Sequence, residues 1–162
     1  MSACLFPGSF DPPTNGHLDL VERLAKMFDT VYVCVIRNSE KRPFLPEETR
    51  VELFKEACAA LPNVQVVQGT GFTVDMARKC GAAVIARGVR NSQDYIYESQ
   101  LAKANAYVDK ETETVFLLSK PEHEGLSSSI VREIWSLNGD ISALVPGNVL
   151  SALEEKRRAE TK

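Results

Sequence analysis

Two stretches of this 162-residue chain carry residue types and spacings suited to binding phosphate. The first, Pro7-Gly8-Ser9-Phe10-Asp11-Pro12-Pro13-Thr14-Asn15-Gly16-His17, lies between an apolar run (3–6) and an amphipathic one (17–28). A glycine loop between strand and helix aims backbone N–H groups and the positive end of the helix at an anion. This loop has neither the G-x-x-x-x-G-K-[ST] spacing of a P-loop nor the G-x-G-x-x-G of a dinucleotide fingerprint. Its own chemistry is a hydroxyl at Ser9 and an imidazole at His17, on the first turn of the helix. A helix N-terminus discourages the imidazolium, so a neutral His17 is suited to donate an N–H to a phosphate oxygen. A histidine there can equally cap or pack, and Ser9 can be a turn former. The second stretch, Ser127-Ser128-Ser129 after Gly125, opens another helix and reads as an N-cap or as a phosphate nest.

The first loop holds no lysine, so its cations must come from elsewhere in the chain. Lys41, beside Arg42, follows one apolar run, and Arg87 and Arg90 follow another across Gly88-Val89. Arginines directly after a buried strand suit a bidentate grip on an anion. The alternative for Lys41-Arg42 is an ordinary solvated pair. Glu98 can be an ion-pair partner, and Trp135, Tyr95, Tyr97 and Tyr107 are packing or interface residues. Lys156-Arg157-Arg158 reads as a solvated helix face.

The elements that must position these residues alternate. Apolar runs at 3–6, 30–36, 63–67, 82–86 and 114–118 have the length and β-branched content of strands. Helical spacing marks 17–28, 46–61, a short piece from 72 to 80, 92–108, a helix from 127 and a last helix from about 148. This β-α order predicts one α/β domain over 1–162, with a Rossmann-like doubly wound parallel sheet of about five strands and helices on both faces. Ligands bind such sheets beyond the carboxyl ends of the strands. The loops 7–16, 37–45, 68–73, 87–91 and 119–126 fall there and hold most of the polar candidates.

Totals bound the rest. A net charge of −3 argues against nucleic acid as partner, and no apolar run reaches the ~18 residues of a membrane span. The four cysteines, Cys4, Cys34, Cys58 and Cys80, stand apart with no C-x-x-C pair, as expected of reduced thiols in a cytoplasmic protein. No signal peptide is visible.

Gly8-Ser9-Phe10-Asp11-Pro12 with Thr14-x-Gly16-His17, and later Ser127-Ser128-Ser129-x-x-Arg132, resemble the two signatures of the nucleotidylyltransferase superfamily. Lys41-Arg42-Pro43-Phe44, Arg87-Gly88-Val89-Arg90 with Asp94-Tyr95-x-Tyr97-Glu98-x-Gln100-x-Ala102, and Asn138-Gly139-Asp140-Ile141-Ser142 before Leu144-Val145-Pro146 narrow the resemblance. The narrower family is the bacterial phosphopantetheine adenylyltransferases, and the resemblance runs over nearly the whole chain. It implies reversible adenylyl transfer from ATP to 4′-phosphopantetheine with Mg²⁺, giving dephospho-coenzyme A and pyrophosphate in the penultimate step of coenzyme A synthesis. It also implies a homohexamer, with dephospho-coenzyme A or coenzyme A as product or inhibitor.

By the same resemblance, His17, Lys41 and Arg90 are catalytic, and Ser9, Lys41, Thr73, Arg87 and Glu133 meet the phosphopantetheine. Ser9, Phe10, His17, Gly88, Val89, Arg90 and Glu98 meet ATP, as does the loop of His123, Glu124, Gly125, Leu126, Ser127, Ser128 and Ser129. Two departures stand out. Ser9 replaces the usual threonine and keeps the hydroxyl, and His123-Glu124-Gly125-Leu126 replaces a more aromatic or hydroxylated stretch. Rival readings are transfer to another phosphate, such as nicotinamide mononucleotide or glycerol phosphate, and a catalytically silent nucleotide-binding module.

Overall fold

The computed structural model describes residues 2–37 and 42–161. Five strands, β1 (Ala3–Gly8), β2 (Thr30–Ile36), β3 (Val64–Gly69), β4 (Val84–Val89) and β5 (Glu113–Leu118), form one sheet in the order β3-β2-β1-β4-β5. Every pairing is parallel, with Ala3 opposite Thr30 and Arg87 opposite Phe116. The helices are α1 (Asn15–Met27), α2 (Glu47–Ala57), α3 (Thr73–Lys79), α4 (Ser92–Val108), α5 (Ser128–Ser136) and α6 (Gly147–Glu160). A 3-10 turn, Pro121–His123, follows β5.

Strand alternation divides the core. Cys4, Phe6, Val31, Val33 and Val35 face Leu20, Val21 and Leu24 of α1 and Val51 and Phe54 of α2. Leu5, Cys34 and Ile85 face Val74, Met76 and Ala77 of α3 on the other side. This is the doubly wound arrangement expected, because strands apolar on both faces need helices on both. A third cluster joins Leu53 of α2 to Val131 and Trp135 of α5 and Val149 and Leu153 of α6. It fastens the serine-rich helix to the body.

Several boundaries move. β4, expected at 82–86, runs to Val89, so Arg87, Gly88 and Val89 are strand residues rather than loop. Their ladder with Phe116, Leu117 and Leu118 of β5 holds them in line. β1 likewise extends to Gly8, and α6 begins at Gly147. α2 ends at Ala57, with a turn closed by Leu61 N–H to Cys58 C=O at 2.8 Å. Pro62 disfavours helical backbone at the residue before it, which keeps Leu61 out of α2.

Trp135 packs as expected, edge-on to Phe44 at 5.0 Å, with its indole N–H on the Leu153 carbonyl at 3.2 Å. The basic tail is not the wholly solvated face expected of it. Lys156 lies 5.3 Å from the Phe44 ring, and Arg157 donates to the Trp135 carbonyl at 2.9 Å, covering apolar surface with their stems. Tyr97 and Tyr107 remain 61% and 90% exposed on α4, so packing within this chain does not account for them.

Candidate active site

The strand order reverses between β1 and β4, and the crevice beyond their carboxyl ends is where the candidate residues converge. Beyond Gly8 the chain turns sharply at Phe10, a non-glycine residue at φ 48°. The Phe10 ring folds back into the core, 5.5 Å from Phe6, 4.7 Å from Phe54 and 5.0 Å from the His17 imidazole. A Cβ on Gly8 would stand 2.8 Å from that ring, so glycine is required by the close approach.

Thr14 then caps α1. Its hydroxyl accepts the His17 N–H at 3.3 Å, and its own N–H donates to His17 Nδ1 at 3.1 Å. This is a capping box with histidine where glutamate usually stands. A backbone N–H is only a donor, so Nδ1 must be the acceptor and the proton of the neutral ring sits on Nε2. Burial, with the Arg90 charge adding to it, lowers the His17 pKa to about 4. At neutral pH His17 is therefore an uncharged N–H donor of fixed tautomer.

Both arginine forks are engaged by carboxylates of α4. Arg87 meets Glu98 bidentately at 2.6 and 2.7 Å and donates to the Pro7 carbonyl at 2.8 Å. Arg90 meets Asp94 at 2.8 and 3.3 Å and donates to the Leu126 carbonyl at 3.1 Å. Burial opposes the Asp94 charge, yet hydrogen bonds from the Arg90 side chain and backbone hold its carboxyl below the ordinary aspartate value. The bidentate geometry read from the arginines is present, with the protein's own carboxylates as partners.

The three serines divide their work. Ser127 Oγ accepts the Ile130 N–H at 3.2 Å as the N-cap, Ser128 Oγ donates to the Pro12 carbonyl at 2.7 Å, and Ser129 Oγ accepts from Arg132 at 3.1 Å. The Ser128 hydroxyl thus stitches the second phosphate stretch to the first. With the Ile130 N–H taken by the Ser127 cap, the Ser128 and Ser129 N–H groups at the start of α5 have no acceptor within the helix and are available to an anion.

A cavity of about 260 Å³ brings together Ser9, Phe10, His17, Arg87, Gly88, Arg90, Glu98, His123, Leu126, Ser127 and Ser128. A second, of about 500 Å³, shares Ser9 and Ser128 and adds Ser129. Val89 is buried in β4, and Glu124 and Gly125 stand on the turn beside the first cavity without lining it. Thr73, the first residue of α3, and Glu133, exposed on α5, line neither. Lys41 lies outside the described residues.

Residues to which the sequence reading gave no role also shape the site. Thr14 fixes the His17 ring, Asp94 holds Arg90, and Asp11, Arg50 and Arg132 border the larger cavity. A threonine three residues before the histidine is a readable capping signal. Nothing local to Asp11 shows its partners Phe44 and Leu45, 33 and 34 residues away, or links Arg50 to the Ser9 carbonyl, 41 residues away.

The sequence profile of the cytidylyltransferase-like family matches residues 5–134. A phosphopantetheine adenylyltransferase of Limosilactobacillus reuteri (strain DSM 20016) is 46% identical over 156 residues, covering 96% of this chain and 90% of the relative. One of Finegoldia magna is 45% identical over 152 residues, covering 94% of each. Among solved structures, a candidate nicotinate-nucleotide adenylyltransferase of Vibrio parahaemolyticus superposes with a TM-score of 0.69 at 19% identity, covering 94% of this chain and 91% of that one, a likeness of fold alone. The chain belongs to the cytidylyltransferase-like family and, within it, to the phosphopantetheine adenylyltransferases.

Proposed function

We propose that the chain transfers the adenylyl group of ATP to 4′-phosphopantetheine, giving dephospho-coenzyme A and pyrophosphate. The observation that carries the mechanism is the neutral His17, its Nε2–H left to donate by the Thr14 contact to Nδ1, in a cavity with Ser9, Arg90 and the start of α5. The nucleophile is a phosphate oxygen, anionic at neutral pH, so no general base is required. That oxygen bonds to the α-phosphorus of ATP, and the bond from α-phosphorus to the β-bridging oxygen breaks. Pyrophosphate leaves with the bonding electron pair, in the in-line course typical of phosphoryl transfer. The barrier is mutual repulsion of anions and charge on the α-phosphate, which positioned donors and cations lower. His17 supplies a hydrogen bond, and Arg90 a charge that the phosphates draw from Asp94.

Lys41 is proposed as a third cation, and Arg87, Thr73 and Glu133 as contacts of the phosphopantetheine, on the family resemblance. Among the described residues no three His, Cys, Asp or Glu side chains cluster as a metal cage, and Asp94 and Glu98 are already bound to arginine. A magnesium ion needs no such cage, since it is held through one or two carboxylates together with substrate phosphates. A magnesium ion would be carried by the ATP phosphates, as this cation usually is. A homohexamer is the proposed assembly, supported by the exposed Tyr97, Leu101 and Tyr107 of α4 and Leu118 at the end of edge strand β5. A cytoplasmic setting is proposed on the four free cysteines; among the described residues no helix is long and apolar enough to cross a membrane.

Pyrophosphate release from ATP tests the reading. Release with 4′-phosphopantetheine, and little with nicotinamide mononucleotide or glycerol phosphate, is expected. Faster release with either alternative acceptor would reassign the substrate.

A further inference from the structure

We propose that Asp11 is a positioning residue for the leaving pyrophosphate, holding in shape the larger cavity beside the nucleotide pocket so that this cavity receives the two outer phosphates of ATP. The inference rests on the adenylyl-transfer reading above. It starts from the segment Pro43-Phe44-Leu45-Pro46. Two of its four residues are prolines without an N–H, so Phe44 and Leu45 own the only backbone donors there. Both go to Asp11, Phe44 to Oδ2 at 2.7 Å and Leu45 to Oδ1 at 2.8 Å.

From the opposite side Arg50, only 2% exposed, donates to the Leu45 carbonyl at 3.2 Å and to the Ser9 carbonyl. Arg132 of α5 closes the arrangement by donating to the Asp11 carbonyl at 2.6 Å. One aspartate therefore joins the phosphate loop after β1, the entry to α2 and the first turns of α5.

These joined pieces are the walls of the cavity of about 500 Å³, which meets the nucleotide pocket at Ser9 and Ser128. Its charge differs from that of the nucleotide pocket. There Arg87 and Arg90 are matched by Glu98 and Asp94. Here Arg50 and Arg132 reach backbone carbonyls and a serine hydroxyl, groups that satisfy N–H donors without cancelling charge. Its lining sets Arg37, Arg42, Arg50 and Arg132 against Asp11, whose charge is turned to the Phe44 and Leu45 N–H groups, and Glu47 and Glu48 in the first turn of α2. A polyanion continuing outward from an α-phosphate at His17 would enter this space past Ser128. Asp11 touches none of the reacting atoms. It acts through the backbone it holds and through Arg132.

The test runs the reaction backwards, from dephospho-coenzyme A and inorganic pyrophosphate, with Asp11→Asn as variant. Asparagine is isosteric but offers one acceptor oxygen, so one of the two N–H contacts is lost. The expected result is a KM for pyrophosphate raised about tenfold, with the KM for dephospho-coenzyme A within about twofold of wild type. Calorimetric binding of pyrophosphate alone should weaken by the same factor, a readout independent of turnover. A variant that loses thermal stability with both KM values unchanged, or one in which both rise together, overturns the assignment. Should Asp11→Asn fail to fold, Asp11→Glu, which keeps both oxygens on a longer arm, carries the same expectation and the same overturning result. Absence of turnover in the wild type would instead count against the adenylyl-transfer reading, while the calorimetric comparison still decides the role of Asp11.

Discussion

Thr14 holds the His17 imidazole from below, its N–H donating to Nδ1 at 3.1 Å while its hydroxyl accepts the His17 amide at 3.3 Å. The hydroxyl caps the helix and also lies 3.1 Å from Nδ1, while the backbone N–H, which sets the tautomer without it, survives any substitution other than proline. Thr14→Ala is therefore expected to cost about 1 kcal/mol of stability, a fall in Tm of roughly 2–4 °C, with kcat within about threefold of wild type. A thermal melt and steady-state turnover read the two effects apart. A hundredfold loss of kcat would assign the hydroxyl itself a part in the reaction.

His17→Ala removes the Nε2–H donor and should lower kcat by about a hundredfold or more, each tenfold corresponding to ~1.4 kcal/mol. Near-normal turnover would remove His17 from the chemistry. The same residue gives stability a pH dependence of fixed sign. Burial, with the Arg90 charge, lowers its pKa from 6.5 to about 4, so the unfolded chain binds the proton more readily. Its contribution is full above pH 6.5 and declines as the pH falls from 6.5 to about 4, amounting to a few kcal/mol at most. Urea midpoints at pH 7 and pH 5 should thus differ less for His17→Gln than for wild type. Equal differences would contradict the low pKa.

Arg87 and Glu98 form a two-bond pair with the carboxylate only 9% exposed. Breaking such a pair from one side leaves a charge without its partner, which costs about 3–5 kcal/mol when fully buried and less here because the arginine side chain is 24% exposed. Arg87→Ala should lower the midpoint of denaturant unfolding more than Glu98→Ala, because the carboxylate left behind is the more buried group and has no other partner among the described residues, whereas the guanidinium keeps the Pro7 carbonyl. The reverse order would place the main desolvation burden on Arg87.

What the sequence made legible follows from how local each signal is. β2 and α4 fall where their patterns place them, at Thr30–Ile36 and Ser92–Val108, because strand content and capping residues act over a few positions. The crevice of Ser9, His17, Arg90 and Ser127-Ser128 was readable because a parallel sheet delivers its loops to one edge. The extension of β4 through Arg87-Gly88-Val89 was not, since the polar appearance of that segment is overridden by its ladder to β5. Nor was the clamp at Asp11, whose donors at Phe44 and Leu45 are adjacent to it only in the fold. Basic residues of α6 looked solvated because sequence shows their charge and not the aromatic surface beneath their stems.

Gly88 shows how a residue of the site can also be a packing requirement. A Cβ built there would come 2.5 Å from Leu20 Cδ1, at the point where α1 crosses the end of β4. Leu20 is 5% exposed and packed in the core between α1 and the sheet, so its side chain must repack to admit the methyl. Gly88→Ala is therefore expected to destabilise the fold by about 1–3 kcal/mol through overpacking. It should also displace the first turns of α1, and His17 with them, so turnover falls together with stability. Leu20→Val in the same chain shortens the side chain that the new methyl meets. The double variant Gly88→Ala/Leu20→Val should consequently recover part of both the Tm and the kcat lost by Gly88→Ala alone. If Tm recovers while kcat does not, Gly88 acts on the nucleotide directly, through the close approach that only a residue without a Cβ permits.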